Sequence, residues 1–206
     1  MLVVAGVGYF LIPKIDSPSI PINAGSPDGA MDVLLVGNDS RTDAQGNPLT
    51  PEEIAMLHAG DEEADNTDTI MVIRIPNDGS SATAISIPRD TYIHDDDLGN
   101  TKINGVYYGH KDIEKERLLA EGEKEGPILE RKAKSAGQRG LINAISDLTG
   151  ISVDHYAEVG LVGFVLLTDA VGGVEVCLNA PVNDEFSGAN FPAGRQVLNG
   201  AQGLAF

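Results

Sequence analysis

The sequence contains little of several residue types, and each shortage excludes a class of protein. A single cysteine, Cys177, among 206 residues excludes an internal disulfide framework and a cysteine-based metal cage. Tryptophan is absent and aromatic residues make up only 5%, which argues against a surface that stacks nucleic-acid bases. Basic residues are scarce too, since 14 Lys and Arg face 31 Asp and Glu, for a formal net charge of -17. This balance excludes a general nucleic-acid-binding protein, because binding phosphates requires clustered bases.

The rest of the composition is typical of a globular domain. Hydrophobic residues make up 42% of the chain and charged residues 22%, which supplies enough apolar material for a buried core. Cys177 lies in a short apolar run and is predicted to be a buried core thiol. Most of the bases fall within residues 110–139, where both signs of charge mix with strong helix formers. This stretch predicts a solvated surface helix or a helix-containing excursion, with a regulatory or partner-binding arm as the alternative.

The N-terminus begins with an apolar run at residues 2–12. This run is too short to span a bilayer, which needs about 20 residues, and neither a preceding positive charge nor a cleavage site marks it as a signal peptide. It is either part of a membrane anchor, which we favour, or a buried first strand or helix. Residues 16–29 are rich in proline, serine and glycine, as linkers are. We therefore predict a truncated anchor at residues 1–15 and a linker at residues 16–30.

Strand and helix patterns alternate along the remaining chain. Apolar runs predict strands at residues 31–37, 69–75 and 81–87, and the turn cluster at residues 76–79 predicts an antiparallel hairpin between the last two. Periodicity further predicts a helix at 138–148, a strand at 155–159, a buried helix at 160–171, a strand at 174–178, and a turn with the start of a last helix at 194–206. This mixture predicts an α/β domain with a central sheet covered on both faces.

Polar residues that could carry chemistry stand at the ends of these strands. Asp39 and Arg41 come directly after the first strand, at the kind of strand end where α/β folds place ligands. Asp39 could ligate a metal, and Arg41 could bind a phosphate through its forked guanidinium. The alternative is an Asx turn with a surface salt bridge.

A second carboxylate, Asp68, precedes the next strand among short polar residues. Two carboxylates from separate segments suit Mg²⁺, which prefers one or two carboxylates together with substrate phosphates and waters. Asp68 on its own could equally cap a helix or a turn. Asp95, Asp96 and Asp97 lack the spacing of a calcium-binding loop and are interpreted as a solvated turn.

The third polar cluster begins where Pro88 ends a predicted strand. Proline fixes the direction of the chain, so Arg89 leaves the sheet at a defined angle and suits a charge-dense oxyanion. Further along, Lys102 could bind a second phosphate and Asn104 could position it. The alternatives are an ion pair of Arg89 with Asp90 and an ordinary boundary between a loop and a helix.

Several ordered motifs resemble those of one known family. Between residues 31 and 206 they read VLLVGNDSR, NTDTIMVIRIPNDG, AISIPRDTY, KINGVYYG, GLVGFVLLTDAVGGVEVCL and LNGAQGLAF. The chain resembles the LytR-CpsA-Psr family of cell-wall phosphotransferases, and the residues in its motifs are similar to those of the actinobacterial branch. The resemblance implies an α/β fold, a three-layer α-β-α sandwich with a central mixed sheet and a hydrophobic lipid pocket, with residues 31–206 as the catalytic domain. The apolar helix at residues 160–171 would line that pocket, although core packing explains it equally well.

The resemblance also implies a function. Members of the family transfer a cell-wall glycopolymer from a polyprenyl-pyrophosphate carrier to peptidoglycan and form a phosphodiester, with Mg²⁺ bound at the pyrophosphate. Such phosphoryl transfer depends mainly on positioning and charge neutralisation. The residues implied by motif match are the metal carboxylates Asp39 and Asp68, the catalytic pair Arg89 and Asp90, and the substrate contacts Arg41, Arg89, Lys102 and Asn104. Either Asp39 or Asp90 could assist deprotonation of the acceptor hydroxyl.

The implied location is the cytoplasmic membrane, with a single-pass N-terminal anchor and the domain on the extracellular face. Two departures from the family pattern affect the expected activity. Asn66 and Thr67 stand where many members carry arginine before the second aspartate, and members usually continue beyond the position of Phe206 into a segment with two further pocket arginines. We therefore expect these 206 residues to have weak or no transferase activity.

Three other hypotheses stay open at this point. A polyprenyl-pyrophosphate phosphatase would use the same residues and differ only in its acceptor. A non-catalytic lipid- or wall-binding regulator would need the fold without the charged residues. A Ca²⁺-dependent adhesion domain would make the acidic residues the functional ones.

Overall fold

The computed structural model describes residues 28–38, 49–51, 54, 57 and 67–206. These residues fall into two compact units with separate cores. The sheet unit contains the described residues up to Asn38 and those from Thr67 to Glu158. The C-terminal unit contains the described residues between Leu49 and Leu57 together with Val159–Phe206.

The sheet unit is built from short strands and two long helices. In chain order its elements are β1 (Ala30–Asn38), β2 (Thr67–Pro76), β3 (Thr83–Ile87), β4 (Tyr92–Asp95), β5 (Gly99–Lys102), a 3₁₀ turn (Ile103–Gly105), α1 (Val106–Ala120), α2 (Pro127–Thr149) and β6 (His155–Val159).

A four-stranded sheet in the order β3-β2-β1-β6 forms the centre of this unit. Side chains of β1 alternate between buried and half-buried positions, as a strand with one covered face requires. Strands β2 and β3 form the predicted antiparallel hairpin, whose turn contains Gly79 at a φ of 76°, a conformation that favours glycine. Hydrogen bonds link Asp32 to Asp154 and Asn38 to Glu158, so β1 and β6 run in the same direction. The sheet is therefore mixed, as predicted.

The core of the sheet unit lies between the sheet and the two helices. Leu34 and Val72 of the sheet pack in one buried cluster with Val106 of α1 and Leu141 of α2. The helices approach closely at Gly137, where a Cβ atom would lie 2.5 Å from the carbonyl oxygen of Tyr107. Glycine is needed here because any larger residue would push α1 and α2 apart.

The C-terminal unit contains a helix, two small antiparallel ribbons and a final short helix. Its elements are α3 (Leu161–Ala170), β7 (Val174–Leu178), β8 (Val182–Asp184), β9 (Ala189–Phe191), β10 (Gly194–Leu198) and α4 (Gly200–Ala205). Strand β7 pairs with β10, and β8 pairs with β9. Helix α3 buries Val162 and Val165 against Leu49 and Leu57. A reciprocal capping box of Asn199 and Gln202 starts α4.

Three predictions about local structure need correction. Residues 110–139 are not only a solvated excursion: they supply most of α1 and the first half of α2, and they bury Leu118, Leu129 and Ala133. The start of the segment at residues 194–206 is strand β10 rather than a turn. Cys177 is exposed, because β7 belongs to a two-stranded ribbon rather than to the central sheet.

No helix among the described residues is both long and apolar enough to cross a bilayer. The predicted anchor at residues 1–15 lies outside the described residues, and so does the predicted linker as far as residue 27.

Candidate functional site

The polar site of the sheet unit is assembled by the turn that follows β3. Pro88 leaves the strand, and Thr91 closes the turn by donating from its backbone N–H (2.9 Å) and its hydroxyl (2.7 Å) to the carbonyl of Pro88. This double hydrogen bond presents Arg89 and Asp90 from a fixed backbone.

Backbone contacts attach this turn to the neighbouring elements. The N–H of Ile103 donates to the carbonyl of Thr91 at 2.9 Å, and that of Asn104 donates to the carbonyl of Arg89 at 3.3 Å. The hydroxyl of Thr67, at the start of β2, donates to the carbonyl of Asn104 at 3.1 Å. The start of β2, the turn after β3 and the 3₁₀ turn after β5 therefore meet in one place.

Four charged side chains at this junction form two ion pairs. Arg89 pairs with Asp68, and Lys102 donates to Asp90 at 2.6 Å. The hydrogen bond from Lys102 and its positive charge hold the pKa of Asp90 below its ordinary value. The two acids and two bases cancel in charge, and all four side chains stay between one third and two thirds exposed, within reach of a ligand.

The structure brings together five of the seven predicted site residues. Asp68, Arg89, Asp90 and Lys102 meet through their side chains, whereas buried Asn104 takes part through its backbone. Arg89 pairs with Asp68 rather than with Asp90, so the simple surface pair considered from the sequence is not what forms.

The other two predicted residues, Asp39 and Arg41, lie outside the described residues. In the sequence Asp39 directly follows Asn38, which pairs with Thr67 next to Asp68. The chemistry of the described residues fits Mg²⁺ by ligand type. Asp68 offers a carboxylate whose Oδ1 atom is shielded from solvent, and hard oxygen ligands are those that Mg²⁺ prefers. Arg89 now occupies that oxygen, so a cation would have to displace it.

A second polar cluster surrounds Glu158, whose side chain is only 6% exposed. Its Oε1 accepts a hydrogen bond from Asn38 Nδ2 at 2.5 Å and faces Lys134 Nζ at 3.4 Å. Its Oε2 accepts from Gln138 Nε2 at 3.2 Å and from the hydroxyl of Tyr156 at 3.3 Å. Burial, together with the charge of Glu158, raises the pKa of Tyr156 well above its ordinary value, which keeps the phenol a donor.

Sequence reasoning missed this cluster although a signal was present. Tyr156 and Glu158 occupy the two buried positions of β6, which alternates with period two. An acid in phase with buried residues predicts a buried carboxylate, and such a group needs several partners. The pattern was interpreted only as a strand.

A third cluster joins the β4–β5 turn to α1. Asp95 Oδ1 accepts from the amides of Asp97 and Leu98 at 3.0 Å each, and its Oδ2 faces His110 Nε2 at 2.9 Å. Burial opposes ionisation of Asp95, but these hydrogen bonds hold its pKa below the ordinary value. Asp95, Asp97 and His110 could hold a metal by ligand type. The hydrogen bonds among them already account for their approach.

Comparison with known proteins assigns the class. The LytR_cpsA_psr family model matches residues 14–206, and this chain belongs to that family. It is 63% identical over 216 residues to the Corynebacterium glutamicum protein "Cell wall biosynthesis protein LcpA", which places it in the actinobacterial branch as predicted. It is 27% identical over 173 residues to the Bacillus anthracis protein "Polyisoprenyl-teichoic acid--peptidoglycan teichoic acid transferase TagU", an alignment that covers 82% of this chain.

Solved structures support the fold. The structure of TagV from B. subtilis covers 88% of this chain and 56% of its own, with a TM-score of 0.56 at 19% identity. The LytR-CPS2A-psr family protein YwtF (TagT), solved with bound octaprenyl pyrophosphate lipid, covers 93% of this chain and 62% of its own, with a TM-score of 0.54 at 17% identity. Both confirm the predicted α/β fold class with a mixed central sheet.

The chain spans less than half of the curated relatives it matches. The alignments cover 100% of this chain but 42% of the C. glutamicum protein, and 48% of the B. anthracis protein.

Proposed function

We propose that this chain carries the phosphotransferase site of a cell-wall enzyme, which moves a glycopolymer from a polyprenyl-pyrophosphate carrier to peptidoglycan and forms a phosphodiester. The observation that carries the proposal is the junction at the ends of β2, β3 and β5. There Arg89 and Lys102, two of only 14 bases in an acidic chain, stand together beside Asp68. The family and the names of its relatives are consistent with this chemistry.

Arg89 and Lys102 bind the anionic substrate by exchanging partners. In the free protein each base is paired with an acid, so the site is neutral and stable without ligand. A pyrophosphate offers more charge than one carboxylate and accepts charge-assisted hydrogen bonds from both bases. Both side chains are partly exposed, so they can turn toward the ligand.

Asp90 serves to position Lys102 rather than to accept a proton. A carboxylate whose pKa is lowered by a hydrogen-bonded lysine is a weak base, and a useful general base needs a pKa nearer the working pH.

Asp68 and Asp39 would hold the Mg²⁺ ion. When bound, this ion neutralises charge on the pyrophosphate oxygens. Asp68 engaged in this way would no longer pair with Arg89, which would leave Arg89 available for the substrate.

The proposed setting is the extracellular face of the cytoplasmic membrane. The apolar run at residues 2–12 is proposed as part of a single-pass anchor, followed by the linker. The predicted lipid pocket would take the polyprenyl chain of the carrier, and peptidoglycan would supply the acceptor hydroxyl.

The first experiment measures binding of geranyl pyrophosphate, a short polyprenyl pyrophosphate, by calorimetry in buffer with Mg²⁺. Arg89→Gln is expected to weaken binding about tenfold or more, because a charge-assisted contact is lost. Asp68→Asn is expected to weaken binding in Mg²⁺ buffer but to bind at least as tightly as the wild type in EDTA, because neither protein then holds the metal and the asparagine no longer pairs with Arg89. The matched control is Arg195→Gln, an exposed arginine paired with Glu175 in the C-terminal unit, which should bind as the wild type does.

Equal affinity of Arg89→Gln and wild type would overturn the proposal. The reaction is then tested with lipid-linked glycopolymer and peptidoglycan, using this chain and a version extended beyond Phe206. Attachment of polymer supports the transferase, whereas release of phosphate without attachment identifies a phosphatase. Retention of cellular function by Asp68→Ala and Arg89→Ala would identify a non-catalytic regulator.

A further inference from the structure

Glu158 stands out among the buried polar groups because four side chains converge on it from three elements. Asn38 reaches it from the end of β1, Gln138 and Lys134 from α2, and Tyr156 from β6. Asn38, Gln138 and Tyr156 are themselves buried. Burying a carboxylate is costly, and a well-packed apolar residue would stabilise this position at least as well. The arrangement therefore calls for a reason other than packing.

The contacts connect Glu158 to the candidate site. Asn38 is held by Glu158 and pairs with Thr67 across the sheet, after a register shift between Gly37 and Asn38. Thr67 donates to the carbonyl of Asn104 and directly precedes Asp68. Glu158 is thus connected to the site through one hydrogen bond, to Asn38, and one strand pair, between Asn38 and Thr67.

The register shift makes this connection necessary. A bulge breaks the regular ladder between two strands and leaves the bulged strand free to bend. Gly37 pairs with Thr69 and Asn38 with Thr67, so Asp68 is the extra residue of β2, and the contact of Asn38 with Glu158 holds the strand pair directly next to it. Glu158 supplies that contact with the shortest hydrogen bond of the cluster, 2.5 Å.

We propose that Glu158 is a positioning residue for the pyrophosphate site: its carboxylate fixes Asn38 at the bulge, and Asn38 fixes Thr67 and so the placement of Asp68 and Asn104. The inference rests on the proposed function, because it assigns a role in the same site. Glu158 does not touch substrate, since its side chain is enclosed by its own partners.

The proposal is tested by exchanging the acid and the amide between positions 38 and 158, a double change that keeps the net charge. Asn38→Asp sets a carboxylate against the carboxylate of Glu158, and Glu158→Gln removes the acceptor charge from the cluster. In the double variant, the amide of the new glutamine donates to the new aspartate, so the contact returns with its direction reversed. Since the double variant has the same net charge as the wild type, a general electrostatic effect is controlled.

The measurement is binding of geranyl pyrophosphate with Mg²⁺. We expect each single variant to bind about tenfold more weakly, the usual cost of removing an outer partner of a metal site, and the double variant to return to within about threefold of the wild type. The stability controls are Ile145→Val and Leu141→Ala, two core variants of the same unit that bracket the loss in Tm. Single variants that bind as the wild type does, or as weakly as a control of equal Tm, would limit Glu158 to a structural role.

A second readout separates this inference from the proposed function. If the wild type does not bind the probe, the function fails, and hydrogen exchange of the Asn104 amide still tests the positioning. That amide donates to the carbonyl of Arg89 within the site. We expect about tenfold faster exchange in Asn38→Asp and recovery in the double variant, with the Glu121 amide at the end of α1 unchanged as the control. Equal exchange at Asn104 in all variants would refute the positioning role.

Discussion

Buried acids lie near both ends of the parallel strands β1 and β6, with Asp154 just before β6 begins, and the two ends differ in the hydrogen-bond partners that surround these acids. At the end that faces the candidate site, the amide of Asn38 meets the carboxylate of Glu158. At the opposite end, Asp32 and Asp154 meet instead. The backbone N–H of Asp32 donates to the carboxylate of Asp154 at 2.8 Å, and the backbone N–H of Asp154 donates to the carbonyl of Asp32 at 2.8 Å. One end thus pairs donor with acceptor, whereas the other brings two acids together.

The consequences appear in the partners of each oxygen. Both oxygens of Glu158 accept hydrogen bonds. The Oδ1 atoms of Asp32 and Asp154 are buried and accept none from the described residues. Burial raises the pKa of Asp32, Arg74 at 2.9 Å opposes the rise, and the charges of Asp28 and Asp154 add to it. The buried carboxylate of Asp32, which has few donors around it, therefore favours a proton more than an ordinary aspartate does.

Removing Glu158, the buried acid whose two oxygens both accept hydrogen bonds, should have the largest effect on stability. Glu158→Ala leaves Asn38, Gln138 and Tyr156 with buried donors that have lost their acceptor. We expect the free energy of unfolding to fall by about 3 kcal/mol, as measured by urea denaturation at pH 7.

The control for this variant is Glu175→Ala, which removes an exposed glutamate paired with Arg195. Exposed ion pairs contribute little, so the loss should stay below about 1 kcal/mol. Similar losses from both variants would show that burial and donor number do not distinguish Glu158.

Replacing Asp32, at the end where buried oxygens of Asp32 and Asp154 lack donors, should instead raise the stability of the protein. Asp32→Asn removes a buried charge and provides an amide that can donate to Asp154, while its carbonyl oxygen still accepts from Arg74. We expect the variant to be more stable than the wild type by about 1 kcal/mol at pH 7.5, because a buried oxygen gains a partner.

The pH dependence fixes the sign of this prediction. The pKa of Asp32 is raised in the folded state, so its contribution is most favourable below the unfolded value near 3.8 and is lost as pH rises through the folded value. The advantage of Asp32→Asn should therefore shrink as pH falls from 7.5 toward 4. Urea denaturation across this range measures it, and an advantage that grows toward low pH would contradict the raised pKa.

The parts of the fold that were predicted carry local signals. The strands at residues 31–37 and 69–75 and the turn at residues 76–79 were predicted correctly, because short apolar runs and Asn-Asp-Gly turns act within a few residues. The β4–β5 hairpin has no apolar run and was missed. The start of α2 at Pro127 was missed because its charged surface hides Leu129 and Ala133.

The same distinction applies to the candidate site. Arg89 and Lys102 attracted attention because bases are rare and these two follow predicted strands, and the structure brings both to one junction. Which acid each base would meet could not be predicted, since that depends on the hydrogen bonds from Thr91 to Pro88. Glu158 was missed because its role depends on Asn38, more than a hundred residues away in sequence.

The smallest expected effect on stability comes from removing a single hydrogen-bond donor of Glu158. Tyr156→Phe deletes a hydroxyl at 3.3 Å, while Gln138 still donates to the same oxygen of Glu158. We expect a loss of about 0.5 kcal/mol in the free energy of unfolding. Because the raised pKa keeps the Tyr156 phenol protonated, the native proteins should show the same tyrosinate absorbance at alkaline pH, and only the unfolded proteins should differ by one tyrosine. A smaller native signal in Tyr156→Phe would mean that this hydroxyl ionises in the folded protein, which would contradict the raised pKa of Tyr156.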